Sequence, residues 1–309
     1  MQLVNKTGLP EFVKRMVEKS NYPKHNWATF SVTELFKGPK EIILSRRHAD
    51  EIEVDVAEMA AILIGNAVHD YLISVVGTQE LSEERVNAPL DTQYGTIYIS
   101  GAFDLYDAMA KHLYDVKVPS AMSLQFKAKD GYAEWKKQLR TYWWLLQRIG
   151  IEVRSASNLV VSAGHSKHQA RKNKDYPKFP IVEIKHEFPP VFNGEEEAEM
   201  RAEYIEIVEQ VLKYKDTEDD LIPACSPEER WERDEHWAVM KEGRKTAVKR
   251  CYSDFEAQEL AESLGKKHYV EHRPGSPVKC VDYCWARQHC SFYQNYMHGQ
   301  KAPKEASHE

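Results

Sequence analysis

The sequence predicts an α/β fold in which a mixed central sheet is flanked by helices, with a cysteine-containing segment at its C-terminal end. Three observations predict it. Residues 84–117 contain short runs rich in β-branched and aromatic residues, stretches of helical periodicity bracket them, and all five cysteines follow residue 224. The order helix, strands, helix, strand is that of a layered α/β protein. A chain of 309 residues can bury a sizeable core without covalent staples.

The opening "MQLVNKTGLPEFVKRMVEKS" reads as a short amphipathic helix that lacks the apolar centre of a signal peptide. No apolar run approaches the ~20 residues needed to cross a bilayer, so the expectation is a soluble cytoplasmic protein with no membrane partner. In "SVTELF", Ser31 and Glu34 form a capping box, and Pro39 interrupts the helix that it starts. A longer helix is predicted over 54–73, where Ile62, Gly65, His69 and Leu72 share one face and His69 therefore points inward.

The runs "ERVNAPL", "TIYISGAFDLYD" and "KHLYDVKV" are separated by turn-like "DTQYG" and "DAMA", which predicts an antiparallel meander of three strands. Helical spacing returns in "YAEWKKQLRTYWWLLQRIG", with Trp135, Leu139, Tyr142, Leu146 and Ile149 as an apolar stripe that Gly150 ends. "SASNLVVSA" and "FPIVEIKHEF" read as further strands, and "EEEAEMRAEYIEIVEQVLKYK" as a long helix whose acidic start suits its dipole. A shift to alternating charges, tryptophans and cysteines sets a boundary near residue 216. The expected organisation is a core over 1–215, a cysteine-rich segment over 216–296 and a mobile tail over 297–309.

The net charge of −6 offers no global attraction for nucleic acid. Any such partner must be held by bound cations or by local basic patches. Two patches qualify: "HSKHQARKNKDYPK", with Lys167, Arg171 and Lys172, and "KEGRKTAVKR", with Arg244 and Lys245. Each also fits a plain solvated surface, a basic loop in the first case and a helix face in the second.

Alternation along "YDVKV" places Asp115 and Lys117 on one strand face and Val116 on the other. A hairpin that sets Asp104 beside Asp115 brings together two carboxylates that repel unless a cation lies between them. A hard divalent ion such as Mg2+ suits that oxygen-rich setting. Lys117 could orient or deprotonate a water there, and His69 could complete the ligand set. Taken alone, the same residues also fit an ordinary charged strand face with a solvated ion pair.

"GNAVHDYL" (65–72), "GAFDLYD" (101–107), "YDVK" (114–117) and "QLRTYWWLL" (138–146) occur in one order. In that order the chain resembles RecB-like members of the PD-(D/E)xK nuclease superfamily, and the stretch "SVTELFKGPKEIILSRRHADEIEVD" (31–55) looks like bacteriophage and CRISPR-associated relatives. The resemblance implies a restriction-endonuclease-like core. It implies His69, Asp104 and Asp115 as ligands of Mg2+ or Mn2+, with the Val116 carbonyl assisting, and Lys117 as the catalytic lysine. Gln138 and Tyr142 match the helical Q-x-x-x-Y element that lies beside such sites and helps position the strand. Val118 departs from the Thr or Ser often found after the lysine.

The implied activity is phosphodiester hydrolysis by a metal-activated water, leaving 5'-phosphates. The expected enzyme is an exonuclease of recombination, repair or replication, and a phage-encoded one would act in the host cytoplasm. Its expected substrate is DNA, single- or double-stranded, at ends, with a recombination or single-strand-binding protein as a partner. A structure-specific or restriction-type endonuclease, and a non-catalytic DNA-binding module stapled by metal, are the rival readings.

"KCVDYCWARQHC" places Cys280, Cys284 and Cys290 in a C-x3-C-x5-C run, and Cys225 offers a fourth thiolate. Four thiolates suit a [4Fe-4S] cluster or Zn2+. Iron–sulfur members of the resembled family carry a similar run after the nuclease core. Here the first gap is three residues instead of two, and no cysteine precedes the core. Cys225 would fill that place, with His272, His289 and Cys251 as competitors. Trp231, Trp237 and Trp285 could stack on bases or pack as core.

Overall fold

The computed structural model describes residues 1–18, 26–174, 176–188 and 194–301, and the chain divides into two units. The first comprises Met1–Ile42 and Ala49–Asp216, the second Ile43–His48 and Thr217–Glu309. In chain order the first unit contains β1 (Gln2–Val4), α1 (Glu11–Glu18), β2 (Thr29–Ser31), the start of α2 (Pro39–Arg47), β3 (Glu53–Asp55) and α3 (Ala60–Val75). β4 (Glu80–Ser82), β5 (Arg85–Thr92), β6 (Gly95–Ala102), β7 (Leu105–Asp107) and β8 (His112–Lys117) follow. Next come α4 (Ala121–Ala128), α5 (Ala133–Arg148), β9 (Ser155–Val161), α6 (Lys167–Lys172), β10 (Ile181–His186) and α7 (Gly194–Tyr214).

The opening segment is a strand and then a helix, because residues 2–4 pair in parallel with Glu53–Asp55. The capping box forms as a reciprocal pair: Glu34 N–H donates to Ser31 Oγ at 3.2 Å and Ser31 N–H to Glu34 Oε2 at 2.9 Å. It starts only a short 3-10 turn, and Pro39 then opens α2 at the position where its missing N–H costs nothing.

The expected three-strand meander is split between two sheets. β2, β6 and β5 form one, and β10, β9, β8, β7 and β4 form a mixed five-stranded sheet. "TIYISGAFDLYD" leaves the first sheet after Ala102 and enters the second at Leu105. Within the larger sheet β8 runs parallel to β9 and antiparallel to β7. Helices α5 and α7 flank these sheets, with Trp143, Trp144, Leu145 and Tyr204 buried between layers. The apolar stripe of α5 is inside up to Leu146, whereas Ile149, at the helix end, is half exposed.

The helix predicted over 54–73 begins later, because residues 53–55 are a strand and 56–59 a 3-10 turn. The helical run Val56–Val75 spans 20 residues at a mean hydropathy of 1.3, which corrects the expectation that no segment is long and apolar enough to cross a membrane. Glu58, Asn66, His69 and Asp70 interrupt it, and no residue of α3 is fully buried.

In the second unit β11 (Glu232–Arg233) pairs with β15 (Ser276–Pro277), and β12 (His236–Lys241) lies between β13 (Lys249–Cys251) and β14 (His268–Arg273). Helix α8 (Asp254–Leu264) covers this sheet, with Val239, Cys251, Ala257 and Ala261 as its core. α9 (Val278–Asp282) and α10 (Ser291–Lys301) follow. Residues 297–301, expected to be tail, belong to α10, and the rest of the tail lies outside the described residues. The end of α2 belongs to this unit, where His48 stacks on His289 with ring centroids 3.9 Å apart.

Candidate metal centre

Asp104 lies in the two-residue link between β6 and β7, and the change of sheet aims it. The β7–β8 register pairs Leu105 with Tyr114, so one further step sets Asp104 opposite Asp115. Asp104 Oδ2 accepts a hydrogen bond from the Val116 N–H, whereas Oδ1 lies 3.6 Å from the His69 Nδ1. The residue is 8% exposed. Burial first, and then the neighbouring Asp115, push its carboxyl up to about 7.

Asp115 and Lys117 share a face of β8, as a period of two requires. Lys117 Nζ lies 2.9 Å from Asp115 Oδ2 and donates to Gln138 Oε1 at 2.7 Å. Gln138 Nε2 in turn donates to the Tyr142 hydroxyl at 3.3 Å, one turn along α5. Burial, followed by the Asp115 charge, drives the Tyr142 phenol far above its ordinary value, so it stays a neutral partner. The ring of Tyr142 lies against Gly101, where a Cβ would meet its Cε1 at 2.5 Å and Val32 Cγ2 at 2.7 Å. Gly101 is therefore a place where only a residue without a side chain lets β6 and α5 approach.

His69 projects from the half-buried face of α3, and its Nδ1–H donates to Glu83 Oε1 at 2.9 Å. That bond, then opposed by burial, raises the imidazole above its ordinary value. The ligand atoms of His69, Glu83 and Asp104 all lie within 4.8 Å of one another, a grouping suited to a divalent cation.

Three polar residues of this network escape a reading by motif: Glu83, Asn158 and His186. Asn158, on β9 beside Asp115, is fully buried and donates from Nδ2 to Asp115 Oδ2 at 2.7 Å. His186 Nε2–H donates to Asn158 Oδ1 at 2.6 Å, which fixes both the amide orientation and the tautomer. Burial lowers the His186 imidazole, consistent with a neutral ring. The available signal was weak: Asn158 follows two serines in "SASNLVV", just before its apolar end, and "EIKHEF" alternates.

Of the basic residues, Lys167, Arg171 and Lys172 are exposed on α6, so the segment expected as a loop holds a short helix. Arg244 and Lys245 are exposed in the turn joining β12 to β13, so the alternative of a solvated helix face does not hold for this patch. None of the five cysteines is disulfide-bonded. Cys225, Cys280, Cys284 and Cys290 are half-buried, and among the described residues no cysteine belongs to a three-residue group with ligand atoms within 4.8 Å. Cys251 is buried in the core of its sheet, and His272 Nε2 meets Glu235 Oε1 at 2.5 Å. Trp231 and Trp285 are nearly half exposed, and Trp237 packs against the core.

No family model matches the chain, and no curated protein matches it. Among solved structures it is similar to one described as "Crystal structure of SSO0001", at 15% identity and a TM-score of 0.45, over 67% of this chain and 87% of that one.

Proposed function

We propose that the chain is a divalent-metal-dependent deoxyribonuclease that hydrolyses phosphodiester bonds, and that its core is of the PD-(D/E)xK type. The observation that carries this reading is the pair of buried carboxylates, Asp104 and Asp115, flanked by Lys117 and His69. Two carboxylates buried together are costly without a compensating cation. The donor set fits one, because Asp104 Oδ1 has no hydrogen bond among the described residues and lies 3.6 Å from His69 Nδ1. His69, Asp104 and Asp115, with the Val116 carbonyl, are the residues proposed to hold Mg2+ or Mn2+.

Such a cation supplies an acidified water and offsets charge on the phosphate. The protein's own share is positional. Lys117, held between Asp115 and Gln138, presents an ammonium to the attacked phosphate and can exchange a proton with the incoming water. Asn158 and His186 hold the Asp115 carboxylate from behind, and Tyr142 holds Gln138. The exposed lysines and arginine of α6 are proposed to meet the DNA backbone. The cysteine run is proposed to hold a [4Fe-4S] cluster or Zn2+ as a structural element, which elemental analysis of the purified protein decides.

The test is incubation with end-labelled linear single- and double-stranded DNA and with a closed circle, in Mg2+, Mn2+ or EDTA. Loss of linear DNA only, reduced about 10²- to 10⁴-fold in Lys117→Ala, is the expected result. Cutting of the circle would make the enzyme an endonuclease. Metal-independent binding with no cleavage would leave a DNA-binding module.

A further inference from the structure

The geometry points to Glu83 as a further ligand, beside His69, of the cation proposed at Asp104 and Asp115. This inference rests on the proposed nuclease reading and adds to it a residue outside the motifs of the sequence.

Four observations carry it. Glu83 Oε1 is 2.9 Å from His69 Nδ1, and the same nitrogen is 3.6 Å from Asp104 Oδ1. One nitrogen and two carboxylate oxygens, from three different elements of the fold, thus lie within 4.8 Å of one another, and a cation bound there takes the place of the Nδ1 proton. Among the described residues, Asp104 Oδ1 has no hydrogen-bond partner, in a residue only 8% exposed, and it lies 3.6 Å from His69 Nδ1. The two oxygens of Asp115 are already committed, one to Asn158 at 2.7 Å and both to Lys117, at 2.9 and 3.2 Å. A cation that shares Asp115 with these partners therefore takes its further ligands on the His69 and Glu83 side.

The backbone supports the same assignment. Glu83 has a φ of 53°, in the left-handed region that a glutamate rarely adopts. Main-chain bonds from Glu83 N–H to Asp104 O at 3.3 Å and from Phe103 N–H to Glu84 O at 3.4 Å tie this turn to the Asp104 link. The turn delivers the carboxylate against its conformational preference, and glycine would suit the backbone better if the side chain served nothing.

The test is Mn2+ binding, read by electron paramagnetic resonance as loss of the free-ion signal, on the full-length chain and the variants Glu83→Gln, Glu83→Gly and Asp104→Asn. Glu83→Gln keeps the shape of the side chain and removes its charge. Glu83→Gly removes the ligand and relieves the left-handed backbone. The expected result is Mn2+ affinity weaker by about 10-fold or more in both Glu83 variants, with the melting temperature of Glu83→Gly no lower than that of the parent. Parental affinity in both Glu83 variants, with loss in Asp104→Asn, would overturn the assignment and leave the metal-dependent reading intact. Absence of Mn2+ binding by the parent chain would overturn both.

Discussion

At the scale of single residues, the candidate centre is organised by what each neighbour excludes. Lys117 is held by Asp115 and Gln138 at 2.9 and 2.7 Å, so its ammonium has one orientation instead of the many an exposed lysine samples. Gly101 shows the same logic with sterics in place of charge. Because a Cβ there would fall 2.5 Å from the Tyr142 ring, Gly101→Ala has to displace either that ring or the strand. The expected cost is about 1–3 kcal/mol, typical of overpacking, seen as a lower urea midpoint. Cleavage should fall with it, because Tyr142 supports Gln138 and Gln138 supports Lys117. An alanine variant as stable as the parent would mean that the ring moves freely and takes no part in positioning.

At the scale of elements, the decisive event is the passage from β6 to β7. A single continuous strand would have kept Asp104 in the sheet of β5 and β2, away from β8. The break at Phe103 and Asp104 moves the chain into the five-stranded sheet and brings the Asp104 carboxylate to the Val116 N–H. A second tie of this kind closes α2 in the other unit, where Asp219 accepts from Arg47 and lies 2.6 Å from His48 Nε2. Burial favours protonation of Asp219, but the bonds from His48 and Arg47 outweigh it and lower the carboxyl below its ordinary 3.8. A carboxyl depressed on folding contributes stability that is present above its unfolded value and is lost as pH falls through the folded value. Asp219→Asn should therefore melt a few degrees below the parent at neutral pH, and the gap should narrow progressively as pH falls below about 4. Thermal melts at pH 7, 5 and 3 check this, and a gap independent of pH would refute it.

At the scale of the whole molecule, a chain of net charge −6 meets a polyanion only through cations and local basic surface. Affinity for DNA is accordingly expected to fall steeply with salt. Replacing Lys167, Arg171 and Lys172 together by alanine should flatten the slope of log affinity against log salt, by about 0.9 for each phosphate of double-stranded DNA that the variant no longer neutralises. An unchanged slope, measured by fluorescence anisotropy over a range of salt, would remove α6 from the interface. The same experiment with Arg244 and Lys245, in the hairpin turn of the second unit, tests the other patch independently.

The sequence by itself determined those features that depend on near neighbours along the chain. Period-two alternation puts Asp115 and Lys117 on one face, one helical turn pairs Gln138 with Tyr142, and Ser31 with Glu34 closes a cap. Each involves residues within four positions, where backbone geometry alone decides who meets whom. Tertiary structure alone decided the rest. Glu83 reaches His69 across fourteen positions, and Asn158 and His186 reach Asp115 through strand pairings that no local pattern announces. The sheet change at Asp104 was hidden for a related reason: "TIYISGAFDLYD" has strand propensity throughout, and propensity does not say which sheet a strand joins. Pairing partners are chosen by the burial of whole faces, a property of the assembled layers that a stretch of chain does not carry.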